Sequence, residues 1–333
     1  MPAGLIVEGE DGGQARRYMT RSFVPEVRVR TCVIYNPAAG RGKAEKLLKE
    51  LAPTPGVELR PSVRPEHAIE LARQAADEGF ERVVAAGGDG TVHEVANGLV
   101  RSGNRDVIFS AWPFGSANDY AFTLGLVEHW KRRGESLPTE ILAADVGRVT
   151  GGGRERFYVN SVGVGFNGMV GLEARKIRWL RGMPLYAWAF LKAVVKHFAK
   201  PSMTITFDGE ERISPTLALT VNLAQREGGF PLTPHSRIDD GLFDYMHAKN
   251  LWRWHLIRFL PAMATGRLPT DHPRLKLGRA AKIEIKSESP LFVHADGEFF
   301  CVPADGLKEV QLEVVPGRLR VEVFRPAMYG KWA

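Results

Sequence analysis

The segment Arg82–Gly98 reads RVVAAGGDGTVHEVANG. Its opening, Arg82–Ala86, is short, apolar and valine-containing, which predicts a buried strand. It runs straight into Gly87-Gly88-Asp89-Gly90-Thr91, and an apolar period from Val92 to Val100 then predicts a helix. Glycines at a strand-to-helix turn let the backbone approach a ligand closely, because no Cβ stands in the way. The amides at the start of the following helix favour phosphate oxygens. Aspartate is less expected there, since it repels phosphate unless a metal or a basic group lies between. Asp89 therefore points to metal–nucleotide chemistry. The plainer alternative is a tight turn in which Asp89 caps the helix.

On both sides the same pattern repeats. Val27–Tyr35 is a β-branched run stopped by Asn36-Pro37-Ala38-Ala39-Gly40, and a helical pattern follows through Ala44, Leu47, Leu48 and Leu51. Val57–Val63 predicts a second strand, Glu66–Glu78 a helix with Gly79 as its stop, and Val107–Trp112 a further strand ending in Pro113-Phe114-Gly115-Ser116-Ala117-Asn118-Asp119. Strands alternating with helices at this spacing imply βαβ units and a parallel sheet. Three glycine-bearing turns thus fall at carboxyl ends of neighbouring strands, the edge where open α/β sheets bind ligands. Any one of them reads equally well as a generic turn; their coincidence favours a site. Gly-x-x-x-x-Gly-Lys-[Ser/Thr] is absent, so the usual P-loop is excluded.

Beyond residue 145 the texture changes to short alternating strands: 144–149, 157–162, 202–207, 216–223, 242–247, 282–286, 291–295, 309–315 and 319–324. Turn signals separate several of them, among them Asp208-Gly209, Asp240-Gly241, Asp305-Gly306 and Pro316-Gly317. This predicts a mostly antiparallel β domain with helical inserts near 172–200 and 250–265. Residues 1–27 are polar and aperiodic and read as a loose extension.

The ordered set of motifs resembles the diacylglycerol-kinase-type lipid kinases, which include sphingosine, ceramide and compact bacterial lipid kinases. The resemblance spans roughly 28–326. It rests on Asn36–Gly40, Ala85–Gly98, Pro113–Asp119, Arg237-Ile238-Asp239-Asp240-Gly241-Leu242 and Asp296-Gly297-Glu298. It implies an α/β ATP-binding domain over 28–144, rejoined by 308–333, and a β-sandwich lipid-substrate domain over 145–307. By resemblance, Asn36, Pro37, Ala38, Ala39, Gly40, Gly87, Gly88, Asp89, Gly90, Thr91, Asn118 and Asp119 cradle ATP. Ser62 and Ser116 stand where the family commonly has threonine; serine keeps the hydroxyl and loses the methyl. Asp296 is the implied general base toward a lipid hydroxyl, and Glu298 sits beside the nucleotide and its Mg2+. Arg237, Asp240 and Leu242 match a structural magnesium site, the first and last through their carbonyls. Read without the family, Asp296-Gly297 is a hairpin turn and Arg237–Leu242 a turn before a strand. Gly163–Gly168 fits Gly-x-Gly-x-x-Gly, but no acidic residue follows at 180–190, so glycine packing is the better reading.

The chain has 333 residues, 45 basic and 38 acidic, with 44% apolar and 25% charged residues and two cysteines. That length suits about two domains of roughly 150 residues. The composition excludes disordered, collagen-like and disulfide-framework proteins. No run reaches the roughly 18 apolar residues of a spanning helix, and no signal peptide is readable, so a cytoplasmic protein is expected. Residues 173–200 set seven basic residues against Glu173, and four of the seven tryptophans lie in this stretch and at 252–254. Basic residues mixed with Trp and Leu suit peripheral contact with an anionic membrane. The alternative is two amphipathic helices with solvated basic faces; no motif supports nucleic acid. No obligate protein partner is readable, and a homodimer is left open. The expected activity is ATP- and magnesium-dependent phosphorylation of a lipid hydroxyl, with diacylglycerol first and a sphingoid base or other lipid alcohol next. The rivals are an NAD kinase and a catalytically silent binding protein; Asp89, Asp296 and Glu298 together disfavour the latter.

Overall fold

A computed structural model of the chain describes residues 29–42, 45, 48, 54–177, 179–180, 182–269 and 271–328. The extension expected at 1–27 and most of the helix expected across 44–51 lie outside them.

Strands β1 (Thr31–Tyr35), β2 (Val57–Pro61), β3 (Arg82–Gly87) and β4 (Ile108–Pro113) form a parallel sheet in the order β2-β1-β3-β4. Successive side chains of a strand point to opposite faces, and here both faces are covered. Cys32, Ile34, Val83 and Ala85 join one core with helices α1 (His67–Asp77) and α2 (Asp89–Ser102), while Val33, Tyr35, Val84 and Ala86 join another with Leu48. Burial on both sides is why these strands read as continuous apolar runs. Helices α1 and α2 meet at Gly98, where a Cβ would lie 2.4 Å from the Ile69 carbonyl oxygen. Two short helices, α3 (Asp119–Thr123) and α4 (Leu126–Lys131), follow β4.

The remainder is a β-sandwich with helical inserts. Strands β5 (Glu140–Gly151), β6 (Arg154–Tyr158) and β7 (Ser161–Gly165) lead to α5 (Phe166–Arg175) and α6 (Gly182–Lys196). Then come β8 (Ser202–Phe207), β9 (Glu210–Asn222), β10 (Phe243–Lys249), α7 (Arg253–Thr265), β11 (Leu275–Ala280), β12 (Lys282–Ser287), β13 (Val293–Ala295), β14 (Glu298–Cys301) and β15 (Glu309–Val323). The first half of β9 pairs with β8 and the second half with β7 and β10, so one strand serves both layers. Tyr158, Ile205, Leu219, Val221, Phe243, Ile283 and Leu312 fill the space between.

Three differences from the sequence reading have local causes. The single strand expected at 157–162 is broken at Val159-Asn160, because those amides turn aside to a carboxylate described below. The two strands expected at 309–315 and 319–324 are one, β15. Pro316-Gly317 is a bulge within it, with the register shifting between Val315 and Leu319 against β5, and Gly317 at φ 56°. The first half of β15 pairs with β12, while Arg320 and Val321 pair in parallel with Ile108 and Phe109 of β4. Strand β11 was not expected either, since Gly278 interrupts its pattern; a Cβ there would lie 2.4 Å from the Tyr245 hydroxyl.

Candidate active site

Gly88 sits at φ −99°, ψ −170°, an extended conformation open to any residue. Its lack of a side chain matters for another reason: the turn after β4 lies directly against it. A Cβ on Gly88 would be 3.1 Å from Gly115 Cα, and one on Gly115 only 2.4 Å from Gly88 Cα. The two turns are clipped together by Asp89. Its carboxylate accepts the Asn118 amide at 3.0 Å and the Asp119 amide at 2.7 Å. Asp89 therefore caps the neighbouring turn, not its own helix. Asn118, at φ 53°, closes that turn on itself, accepting from Gly115 N at 2.8 Å and donating to Gly115 O at 3.0 Å.

Asp119 is buried. It accepts the Gly229 amide at 3.1 and 3.2 Å and faces Arg226 Nε at 3.4 Å. Burial, then the Asp89 carboxylate beside it, pushes its carboxyl up to about 7. Burial also raises Asp89, against the lowering effect of the two amides it holds.

Asp296 occupies the β13–β14 hairpin turn at φ 50°, followed by Gly297 at φ 83°. The hairpin that Asp296-Gly297 predicts is thus the one observed. Its carboxylate accepts Val159 N at 3.0 Å, Asn160 N at 2.9 Å and Ser161 N at 2.9 Å, and His93 Nδ1 lies 2.9 Å away. This is the carboxylate that breaks the strand expected at 157–162. Asp89, His93 and Asn97 recur every four residues on α2 and so share one face. Asn97 fixes that face to the sandwich: it donates to Phe157 O at 2.8 Å and accepts Phe157 N at 3.1 Å. His93 and Asn97 were present in the opening segment but not picked out there; their helical spacing from Asp89 was the available signal.

Glu298 pairs with Arg175 Nη2 at 2.9 Å, and its Oε1 is 4.0 Å from the position of a Gly90 Cβ. It therefore lies beside the Gly87–Thr91 turn. At the end of β1, Asn36 Oδ1 accepts Ala38 N at 2.9 Å and Asn36 O accepts Ala39 N at 2.9 Å, leading into a short 3₁₀ turn at Ala39–Gly42. Ser62 donates to Tyr35 O through its amide at 2.8 Å and its hydroxyl at 3.3 Å, so it sits next to Asn36–Gly40. Ser116 is exposed on its turn.

Arg237, Asp240 and Leu242 share one loop elsewhere. Asp240 accepts Leu242 N at 3.2 Å through Oδ1 and pairs with Arg279 through Oδ2, while Arg237 pairs with Asp239 at 3.1 Å. Asp240 is thus the one carboxylate of the expected set, and it faces Arg279; the other two expected donors are the carbonyls of Arg237 and Leu242. Among the described residues no group of three or more His, Cys, Asp or Glu could hold a metal.

Asp89, Asp119 and Asp296 line one cavity of about 280 Å³, together with Val170, Leu185, Phe190, Met246 and Met263. Gly163 and Gly168 are packing glycines near it: a Cβ on either would lie 2.2 Å from His294 Nε2 or 2.1 Å from the Phe292 ring. The exposed aromatic residues Trp179, Trp188, Trp252 and Trp254 lie on or beside α6 and α7. Two of the seven basic residues of 173–200 are ion-paired within the chain, Arg175 with Glu298 and Lys176 with Glu173 at 2.7 Å, and Arg178 and Arg181 lie outside the described residues. No helix among the described residues is long and apolar enough to cross a membrane.

Residues 30–149 match the diacylglycerol kinase catalytic domain, and residues 160–323 match the YegS C-terminal NAD kinase beta sandwich-like domain. A diacylglycerol kinase of Bacillus subtilis is 27% identical over 281 residues, covering 81% of this chain and 90% of that one. A Chromohalobacter salexigens protein named "Probable lipid kinase YegS-like" is 30% identical over 236 residues, 69% of this chain and 73% of its own. In fold, the crystal structure of a Bacillus anthracis diacylglycerol kinase superposes with a TM-score of 0.66 at 20% identity, over 91% of this chain and all of that one. Two domain matches in sequence, relatives aligned over most of their length, and a shared architecture place the chain in the family of diacylglycerol-kinase-type lipid kinases.

Proposed function

We propose that this protein transfers the terminal phosphoryl group of ATP to a hydroxyl on a membrane lipid, with Asp296 as the base. One observation carries the reading: a carboxylate oriented by three amides and a histidine faces a largely apolar cavity, and Asp89 and Asp119, which follow the glycine-bearing turns after β3 and β4, line the same cavity. Phosphoryl transfer is mostly positioning and charge neutralisation, with a residue to accept the nucleophile's proton. An ionised carboxylate has about four lone-pair directions, and here all four meet a donor. The lipid hydroxyl therefore takes the place of one of them. His93 is the single side chain in the set and so the one a rotamer change would withdraw. Magnesium belongs to the proposal as ATP's counter-ion, where it neutralises phosphate charge; Glu298 is the half-exposed carboxylate beside Gly90 that would meet it. Diacylglycerol is the first substrate to test, because several relatives bear its name. The basic and tryptophan-bearing surface of α6 and α7 supports a further part of the proposal, docking of the protein on an anionic membrane.

The test is Asp296→Asn in a lipid-panel kinase assay with labelled ATP and with NAD as a control acceptor. A positioned base contributes roughly 10²–10⁴-fold, so turnover on lipid should fall by about that much. The asparagine NH2 would face amide donors, so melting temperature is followed alongside. Near-normal turnover would remove Asp296 from the chemistry; phosphorylation of NAD alone would make the protein an NAD kinase.

A further inference from the structure

The cavity is short of positive charge where its chemistry needs it. Asp89, Asp119, Glu227 and Asp296 place four carboxyl groups in its wall, and among the described residues one lysine or arginine, Arg175, shares that wall with them. A triphosphate would bring further negative charge to the same place. Phosphoryl transfer depends on neutralising the charge that spreads over the moving group's oxygens, so the position of this one guanidinium matters.

Arg175 ends α5, and three contacts fix it. Its Nη2 donates to Glu298 Oε2 at 2.9 Å and to Gly297 O at 3.1 Å, and its guanidinium carbon lies 4.0 Å from the centre of the Phe299 ring. Phe299 is itself held edge-on by Phe292, ring centres 5.0 Å apart. Stacking on a ring fixes the guanidinium plane. Nη2 is thus spent, whereas Nη1 and Nε have no partner among the described residues, and the side chain is 48% exposed. A half-exposed ion pair contributes little to stability, so pairing with Glu298 does not by itself account for the arrangement. The location does. Gly297 follows Asp296, the proposed base, and Glu298 stands beside Gly90 of the turn after β3. A phosphoryl group moving from that turn to a hydroxyl at Asp296 passes Arg175.

We propose that Arg175 is a catalytic residue whose free N–H groups meet the γ-phosphoryl group of ATP, while Glu298, Gly297 and Phe299 hold it in place. This rests on the phosphoryl-transfer reading and adds a residue to it. In the step, the lipid hydroxyl oxygen bonds to the γ-phosphorus as the bond from that phosphorus to the β–γ bridging oxygen breaks. ADP leaves with the bonding pair, and the hydroxyl proton goes to Asp296. Arg175 gives up no proton; it donates to the non-bridging oxygens throughout, a preorganised donor at the point where charge develops. An arginine that only paired with Glu298 would not distinguish ATP from ADP.

The experiment measures binding of ADP and of β,γ-methylene-ATP to the whole chain in magnesium buffer, by calorimetry, for the parent, Arg175→Lys and Arg175→Ala. Turnover on lipid and melting temperature without nucleotide are followed beside it. Arg175→Ala should lose about tenfold or more in affinity for the ATP analogue and keep its affinity for ADP. Its kcat should fall about 10²–10³-fold, with the melting temperature unchanged. Arg175→Lys keeps the charge without the planar fork and should lie between. A ratio of the two affinities that stays at the parent's value in both variants would overturn the proposal. If the parent binds both nucleotides but phosphorylates no lipid, the lipid-kinase reading falls while the affinity ratio still decides Arg175. A parent that binds neither nucleotide would remove both readings together.

Discussion

Asp119 shows how one residue can carry a cost that depends on pH. Its ordinary value of 3.8 is raised to about 7 by burial and by Asp89. Below pH 4 the carboxyl is protonated in both folded and unfolded chains, and the burial penalty is absent. As pH rises from about 4 to 7 the unfolded chain ionises first, so the fold loses stability; above 7 the loss is complete. In Asp119→Asn this contribution disappears. The melting temperature of the variant relative to the parent should climb between pH 4 and pH 7 and then level off. A difference that stays flat with pH would mean that Asp119 is charged throughout. At this scale the sequence was half legible. Asp89, Asp119 and Asp296 were all found as candidates, but Gly88 was explained by ligand approach, whereas Gly115 of a turn 27 residues away is what presses on it. Contacts between distant turns leave no periodic trace in a sequence. His93 leaves one, four residues after Asp89, but it identifies a shared helix face and not the carboxylate across from it.

Among elements, the βα alternation was readable because burial on both faces writes itself as unbroken apolar runs. The sandwich strands were readable where they alternate, and failed where the Asp296 carboxylate interrupts them, at Val159-Asn160, or where a bulge imitates a turn, at Pro316-Gly317. The end of α5 and helices α6 and α7 were legible as basic and aromatic, but not which charges face outward. Arg175 points into the cavity wall and stacks on Phe299 at 4.0 Å, so it belongs to the Glu298 side of the cleft. At the junction of the two helices, Arg253 donates to Val194 O at 3.0 Å and Lys200 lies 4.6 Å over the Trp252 ring. This brings Trp252 next to the basic end of α6. Each basic residue near an anionic surface is worth about 1 kcal/mol. Lys192→Gln with Lys196→Gln should therefore weaken binding to anionic vesicles by about 2 kcal/mol, close to thirtyfold, at low salt only. Trp252→Ala with Trp254→Ala should weaken it at high salt too, because an apolar contact is not screened. Co-sedimentation reads both; a parent protein that ignores anionic vesicles at low salt would assign these helices to solvent.

For the molecule as a whole, the organising element is β15. Its first half closes one layer of the sandwich against β12, its second half lies beside β4 of the parallel sheet, and β5 accompanies it throughout. Asp145 of β5 ties the bulge between the halves, accepting Gly317 N at 2.8 Å, and reaches the 237–242 loop through Gly241 N at 2.7 Å. A chain grows from its N-terminus, so β4 leaves the ribosome some 200 residues before the strand that covers its edge. Until then a parallel sheet exists with an open row of backbone donors and acceptors, the surface on which chains mispair. Long-range closure of this kind is slow. Nascent chains arrested at residue 300 should stay sensitive to protease across the β1–β4 region, and those arrested far enough beyond residue 323 to free β15 from the exit tunnel should become resistant there. Resistance already complete at the earlier arrest would show that the parallel sheet closes alone. Otherwise the parallel-sheet half, though made first, is finished last, and a cell translating this message carries an interval in which the proposed nucleotide site is incomplete.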